Sequence, residues 1–184
     1  MLPTAKRNLL ILGLVCLAPM VGSYLLYYLW RPGAARNYGE LIPPTRVSLK
    51  PVPPADSTGS QMSGRWVMVM VDGGACAGGC PEKLWQMRQL RLTQGKEMER
   101  VVRLWLVDDE HEPGAAPLNG FEGTIVLKSR DLPELAAALR DRNARDHLFL
   151  VDPIGNLMMR FPRNPDLTRV KKDLGHLLKV SRIG

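Results

Sequence analysis

Trp66-Val67-Met68-Val69-Met70-Val71-Asp72-Gly73-Gly74-Ala75-Cys76-Ala77-Gly78-Gly79-Cys80-Pro81 is the stretch that decides the fold of this chain. Its first six residues form a continuous apolar run, the pattern of a strand covered on both faces. Asp72-Gly73-Gly74-Ala75 reads as a turn. Pro81 suits the first position of a helix, where its missing N–H removes nothing from the hydrogen-bond ladder. Leu84 and Met87 lie three apart and Trp85 and Leu92 seven apart, predicting a helix with a broad apolar side that stops at Gly95. Two cysteines therefore stand where a strand hands over to its helix. A helix N-terminus carries about half a positive charge, which favours thiolate over thiol. Cysteines so placed react or bind metal.

Downstream, residues 101–107 read as a second buried strand, closed by the acidic loop Asp108, Asp109, Glu110 and Glu112. Residues 132–139 look helical, and residues 148–151 form a third strand. Asp152-Pro153-Ile154-Gly155-Asn156 is a turn into a hairpin partner at residues 157–161. Asn164 before Pro165 is placed to cap a final helix with the stripe Leu167, Val170, Leu174 and Leu177. The order strand, helix, strand, helix, hairpin, helix is that of an α/β thioredoxin-like domain, expected over residues 65–184.

Upstream, residues 9–30 are 22 residues without a charged side chain. At about 1.5 Å of rise each, they cross a hydrocarbon core of about 30 Å. Lys6 and Arg7 precede the run, and Tyr24, Tyr27, Tyr28 and Trp30 crowd its far end, a basic start followed by an aromatic belt. Residues 1–30 thus read as a cytoplasmic start and one transmembrane anchor. The run is longer than the apolar part of a cleaved signal peptide. Val15 before Cys16 does not suit a lipoprotein site, so Cys16 is expected to be a small apolar helix residue. Residues 31–64, with Pro32, Pro43, Pro44, Pro51, Pro53 and Pro54, are expected to be an extended linker. Within them Leu41-Ile42 is unusual for a solvated tether and could dock against the domain.

The formal charge of +7 is spread out, +4 over residues 1–64 and +3 over residues 65–184. A nucleic-acid binder gathers basic charge on one face with stacking aromatics, and none is gathered here. Arg160, Arg163, Arg169, Lys171 and Lys172 could face lipid headgroups, an acidic partner or water. Met68, Met70, Met87 and their neighbours fall on strand and helix positions, where methionine fills a core.

A disulfide between Cys76 and Cys80 would close so short a loop that it adds little stability through chain entropy. The pair therefore reads as functional, with metal binding, thiol exchange and a structural bridge as the competing uses. The C-x-x-x-C spacing on a strand-to-helix turn resembles the Sco/SenC copper chaperones of cytochrome oxidase assembly. The resemblance covers roughly residues 64–180 and rests on Cys76, Cys80, Pro81, the N-terminal anchor, and Leu106-Val107-Asp108 before a Pro-containing loop. It implies a membrane-anchored assembly factor for cytochrome c oxidase, in the bacterial inner membrane with its C-terminal domain in the periplasm. The partner would be an oxidase subunit or another assembly factor. Copper would bind Cys76, Cys80 and a histidine, for which His147 is the candidate. Two thiolates and an imidazole are a sensible donor set for copper. The chain departs from the family pattern at Ala77, where a proline is usual. Asp146-His147 also directly precedes its strand, about three residues closer than the family's Asp-His pair, so an ungapped alignment puts Ala144 at the place of the copper-binding histidine. His111 should emerge on the same sheet edge as the cysteines, and His176 should be a partly buried packing residue. The alternatives are a periplasmic thiol–disulfide oxidoreductase using Cys76 and Cys80, and a non-catalytic scaffold whose bridge is structural. No proline precedes Leu148, where oxidoreductases of this fold commonly carry one in the cis form.

Overall fold

The computed structural model describes residues 3–29, 37–51, 58–114, 116–140, 142–181 and 183. The chain divides into two units, Met1–Arg36 and Asn37–Gly184. In the first, helix α1 spans Thr4–Leu29 with Pro19 inside it. Its stretch Ala5–Leu29 has a mean hydropathy of 2.3 and is long and apolar enough to cross a membrane. Trp30, expected at its end, lies outside the described residues.

The second unit is a six-stranded sheet in the order β1-β6-β5-β2-β3-β4. Strand β2 (Trp66–Asp72) lies at the centre, and β3 (Val101–Val107) and β4 (Thr124–Lys128) follow it in parallel. Strand β5 (Leu148–Val151) runs antiparallel to β2, and β6 (Asn156–Arg160) completes the hairpin. Every residue of β2 and β3 is buried, as their largely apolar runs require, Arg103 within β3 and Asp72 at the end of β2 included. Met68 and Met70 face a cluster built with helices α3 (Cys80–Leu92) and α5 (Leu167–Val180). Val67, Val69 and Val71 face the other cluster, with α2 (Thr58–Met62) and α4 (Pro133–Leu139). Met62, Met68, Met70, Met87 and Met159 are core residues.

Two strands depart from the expected order. The stretch expected to be linker contains β1 (Glu40–Arg46), paired antiparallel with β6 at the sheet edge. Its Ile42 is buried, and the register shifts between Leu41 and Thr45, across Pro43 and Pro44. Prolines cannot donate to a ladder, and an edge with a bulge is where a strand tolerates them. The folded unit therefore starts at Asn37, much earlier than residue 65. Strand β4 escaped notice because it is five residues long and half exposed.

Two helix assignments also change. Trp85 and Leu92 are 44% and 45% exposed, so the buried side of α3 is set by Lys83, Leu84, Met87 and Leu90. Asp166, not Asn164, caps α5: its carboxylate accepts from the Thr168 and Arg169 amides. Asn164 has a φ of +52°, two residues too early for a cap. His176 is exposed on α5 rather than packed.

Candidate functional site

The parallel strands β2 and β3 deliver their carboxyl ends to one edge of the sheet, the edge where such folds carry their sites. There the chain turns through Gly73 and Gly74 and enters α3. Cys76 and Cys80 are joined as a disulfide, with Cα atoms 5.1 Å apart. Cys80 opens the helix, and Gly79 and Pro81 flank it. The bridge does not face solvent. Cys80 is fully buried and Cys76 is 8% exposed, both inside the α3/α5 cluster. Ala75, Ala77, Gly78 and Gly79 form the exposed cover. Nothing lies within 4 Å of the Cβ positions of Gly78 and Gly79, so the cover is open on its solvent side.

Cys76 has a φ of +46°, a conformation that side chains rarely adopt. Such strain persists only where surroundings enforce it. Here the enforcement is visible. The Cys76 amide donates to the Gly73 carbonyl at 3.0 Å. The Gly74 amide donates to Asp109 Oδ1 at 2.9 Å, which also takes the His111 amide. A Cβ on Gly74 would overlap the His111 carbonyl, lying 2.7 Å from its carbon. The loop after β3 is thus packed directly against the cysteine turn.

That acidic loop is largely exposed, but several of its carboxylates are paired. Asp108 makes a bidentate pair with Arg145 at 2.6 and 2.8 Å, and Glu112 pairs with Lys128. The Gly74 amide, and after it the His111 amide and ring, hold the Asp109 carboxyl below the usual aspartate range. A carboxylate with a lowered folded pKa keeps its hold above the unfolded value, about 3.9, and loses it as pH falls through the folded one. We expect Gly74 amide protection to persist at neutral pH and to drop in strong acid. In Asp109→Ala the protection should be weak at all pH. Hydrogen exchange followed across pH measures both.

A buried ion pair underlies the turn. Lys83 Nζ lies 2.6 Å from Asp72 Oδ2, with side chains 11% and 13% exposed. It also donates to the Val71 and Arg145 carbonyls, each at 2.8 Å. Asp72 Oδ1 accepts from the Gly73 amide. Lys83 therefore ties together β2, α3 and the turn before β5. The sequence reading passed over Lys83 and Arg145, and placed Asp72 only in a turn and Asp109 only in an acidic loop. Lys83 could have been found: it adjoins Leu84 and precedes Met87 by four, which places it on the buried side.

Beside the cysteine cover lies a polar cleft of about 310 Å³ lined by Ala77, Gly79, Lys83, Arg145, His147 and Arg163, among others. His147 thus reaches the expected edge. Its Nδ1 lies 2.7 Å from the Phe161 carbonyl, which leaves Nε2 to face other partners. His111 is on that edge too, 3.2 Å from Asp109 and largely exposed. Among the described residues, no three histidine, cysteine or acidic side chains converge as a metal set. The two sulfurs suit a soft ion once reduced, but the three-ligand copper set of the resemblance is not assembled in this conformation.

The fold is shared with solved proteins of low sequence identity. Yeast Sco1, crystallised with copper bound, superposes with a TM-score of 0.54 at 19% identity, over 81% of this chain and 96% of that one. A SCO1/SenC family lipoprotein from Bacillus anthracis str. Ames gives 0.52 at 14%, over 74% and 94%. A candidate protein disulfide isomerase from Bacteroides thetaiotaomicron gives 0.51 at 17%, over 77% and 89%. No curated protein matches the chain by sequence. The family model for the transmembrane-like, thioredoxin-like, C-terminal domain matches residues 66–181, and the chain belongs to that family.

Proposed function

We propose that this protein is a membrane-anchored assembly factor whose Cys76–Cys80 pair exchanges thiols with a client. The client would be a cytochrome c oxidase subunit or another assembly factor, met on the periplasmic side of a bacterial inner membrane. The observation that carries the reading is the bridge between Cys76 and Cys80, held at the mouth of α3 under a glycine-rich cover.

The chemistry follows from the unequal burial of the two sulfurs. A client thiolate attacks Cys76, the less buried, forming a mixed disulfide and breaking the Cys76–Cys80 bond. Cys80 leaves as a thiolate at the helix N-terminus, where the positive end of the peptide dipoles stabilises it. A second client thiolate then attacks the mixed disulfide and releases Cys76. The client leaves oxidised, and its two electrons stay on Cys76 and Cys80. Run backwards, the same steps reduce a client disulfide.

A second reading makes copper the cargo of the reduced pair. It is favoured by His147, which shares a cleft with Ala77 and Gly79 and keeps Nε2 available. In that reading Cys76, Cys80 and His147 close on the ion after reduction.

Thiol counting on the full chain in detergent tests the proposal. Under mild dithiol we expect two thiols to appear beyond Cys16, and to vanish again on addition of oxidised glutathione. Glutathione should be trapped on Cys76 in Cys80→Ser far more readily than on Cys80 in Cys76→Ser. A bridge that resists reduction until the domain unfolds would make it a structural staple. Titration with Cu(I) separates the second reading: one equivalent, lost in Cys76→Ser and weakened in His147→Ala, supports it.

A further inference from the structure

The sequence shows no basic patch with stacking aromatics, yet the net basic excess of residues 65–184 falls on one helix. Residues 65–184 hold nineteen basic and sixteen acidic side chains, while α5 alone holds four basic and one acidic. The rest of that stretch is balanced. The acid, Asp173, is buried and accepts the Gly39 amide at 2.8 Å, so it lies away from the exposed face of the helix. Arg169, Lys171, Lys172 and Lys179 are all exposed.

The same helix receives the chain as it enters the domain. Tyr38 lies under the Arg169 guanidinium, 4.3 Å from ring centroid to carbon, and its hydroxyl accepts the Asp166 amide. Gly39 is packed so closely on Met159 and Phe161 that a Cβ would collide with both. Only seven residues, 30–36, separate Leu29 from Asn37. Fully extended, they span about 25 Å. The entry is also at the cysteine edge, because β1 starts where β6 ends, and Glu40 pairs with Arg160.

We propose that the exposed face of α5 docks on anionic lipid headgroups, which turns the face of the sheet that carries α3 and the Cys76–Cys80 pair towards the bilayer. This rests on reading α1 as a membrane span. Each lysine or arginine near an anionic surface strengthens binding by about fivefold, and the short tether keeps the helix within reach of that surface. Clients of the Cys76–Cys80 pair are then thiols presented close to the membrane.

The test uses the full chain in nanodiscs carrying a gadolinium chelate on a lipid headgroup, with relaxation of backbone amides as the readout. In phosphatidylcholine discs containing phosphatidylglycerol, we expect strong enhancement along α5 and little along α4, which packs on the opposite face of the sheet. Pure phosphatidylcholine discs should abolish the contrast. The triple variant Lys171→Gln, Lys172→Gln, Lys179→Gln should weaken docking by on the order of a hundredfold, with the amide spectrum of the sheet unchanged. Equal enhancement of both helices, or no response to lipid charge, overturns the docking and leaves the anchor standing. A chain that stays out of the discs overturns the anchor and the docking together.

Discussion

Lys83→Met should be among the most damaging single changes to this protein, destabilising it by about 3–5 kcal/mol. The side chain is nearly buried and its ammonium serves three acceptors: Asp72, the Val71 carbonyl and the Arg145 carbonyl. Methionine has a similar length and no donor. It would leave Asp72 as a nearly buried carboxylate with one hydrogen bond among the described residues, from the Gly73 amide, and the more distant Arg145 guanidinium. An uncompensated buried charge is costly because the protein interior cannot replace its water. Denaturation of the full chain in detergent, followed by Trp66 and Trp105 fluorescence, measures the loss. The double variant Asp72→Leu, Lys83→Met should recover much of it, since it removes both charges at once. If the single variant were as stable as the parent, the pair would be no more than a surface ion pair. The view that it fixes the cysteine turn would fall with it.

What the sequence disclosed was whatever depends on continuous or periodic apolar pattern. Runs such as 66–71 and 101–107 admit few readings besides buried strands, and a cysteine pair after one of them is hard to misplace. Charged and proline-bearing segments were harder. Pro43 and Pro44 suggested a tether because prolines oppose sheet interiors, yet β1 is an edge strand, where the objection lapses. The burial of the bridge was also invisible locally. It follows from Trp105, Leu148 and Phe161, which join both cysteines in the α3/α5 cluster from other segments of the chain. The ion pairs around the site join residues 11 to 37 positions apart, such as Asp72 with Lys83 and Asp108 with Arg145, with no spacing rule to announce them.

Gly74→Ala tests whether the loop after β3 governs the cysteine turn. The new methyl would collide with the His111 carbonyl, which is backbone and cannot swing aside. Either the loop or the turn must shift, and overpacking of this kind costs about 1–3 kcal/mol. The consequence for chemistry should be larger than for stability. The shift breaks the Gly74–Asp109 hydrogen bond, which helps hold Cys76 at its positive φ. Once released, Cys76 can relax towards ordinary backbone angles, and its sulfur gains access to solvent through the exposed cover at residues 77–79. We therefore expect faster attack by glutathione on the bridge in Gly74→Ala, with the α5 and α4 amide signals unmoved. Asp109→Ala should shift the rate in the same direction without the steric clash, because it removes the same hydrogen bond. Should Gly74→Ala leave the rate unchanged while the loop is displaced, access to Cys76 is set by the glycine cover alone. The carboxylate of Asp109 would then have no part in exposing the sulfur.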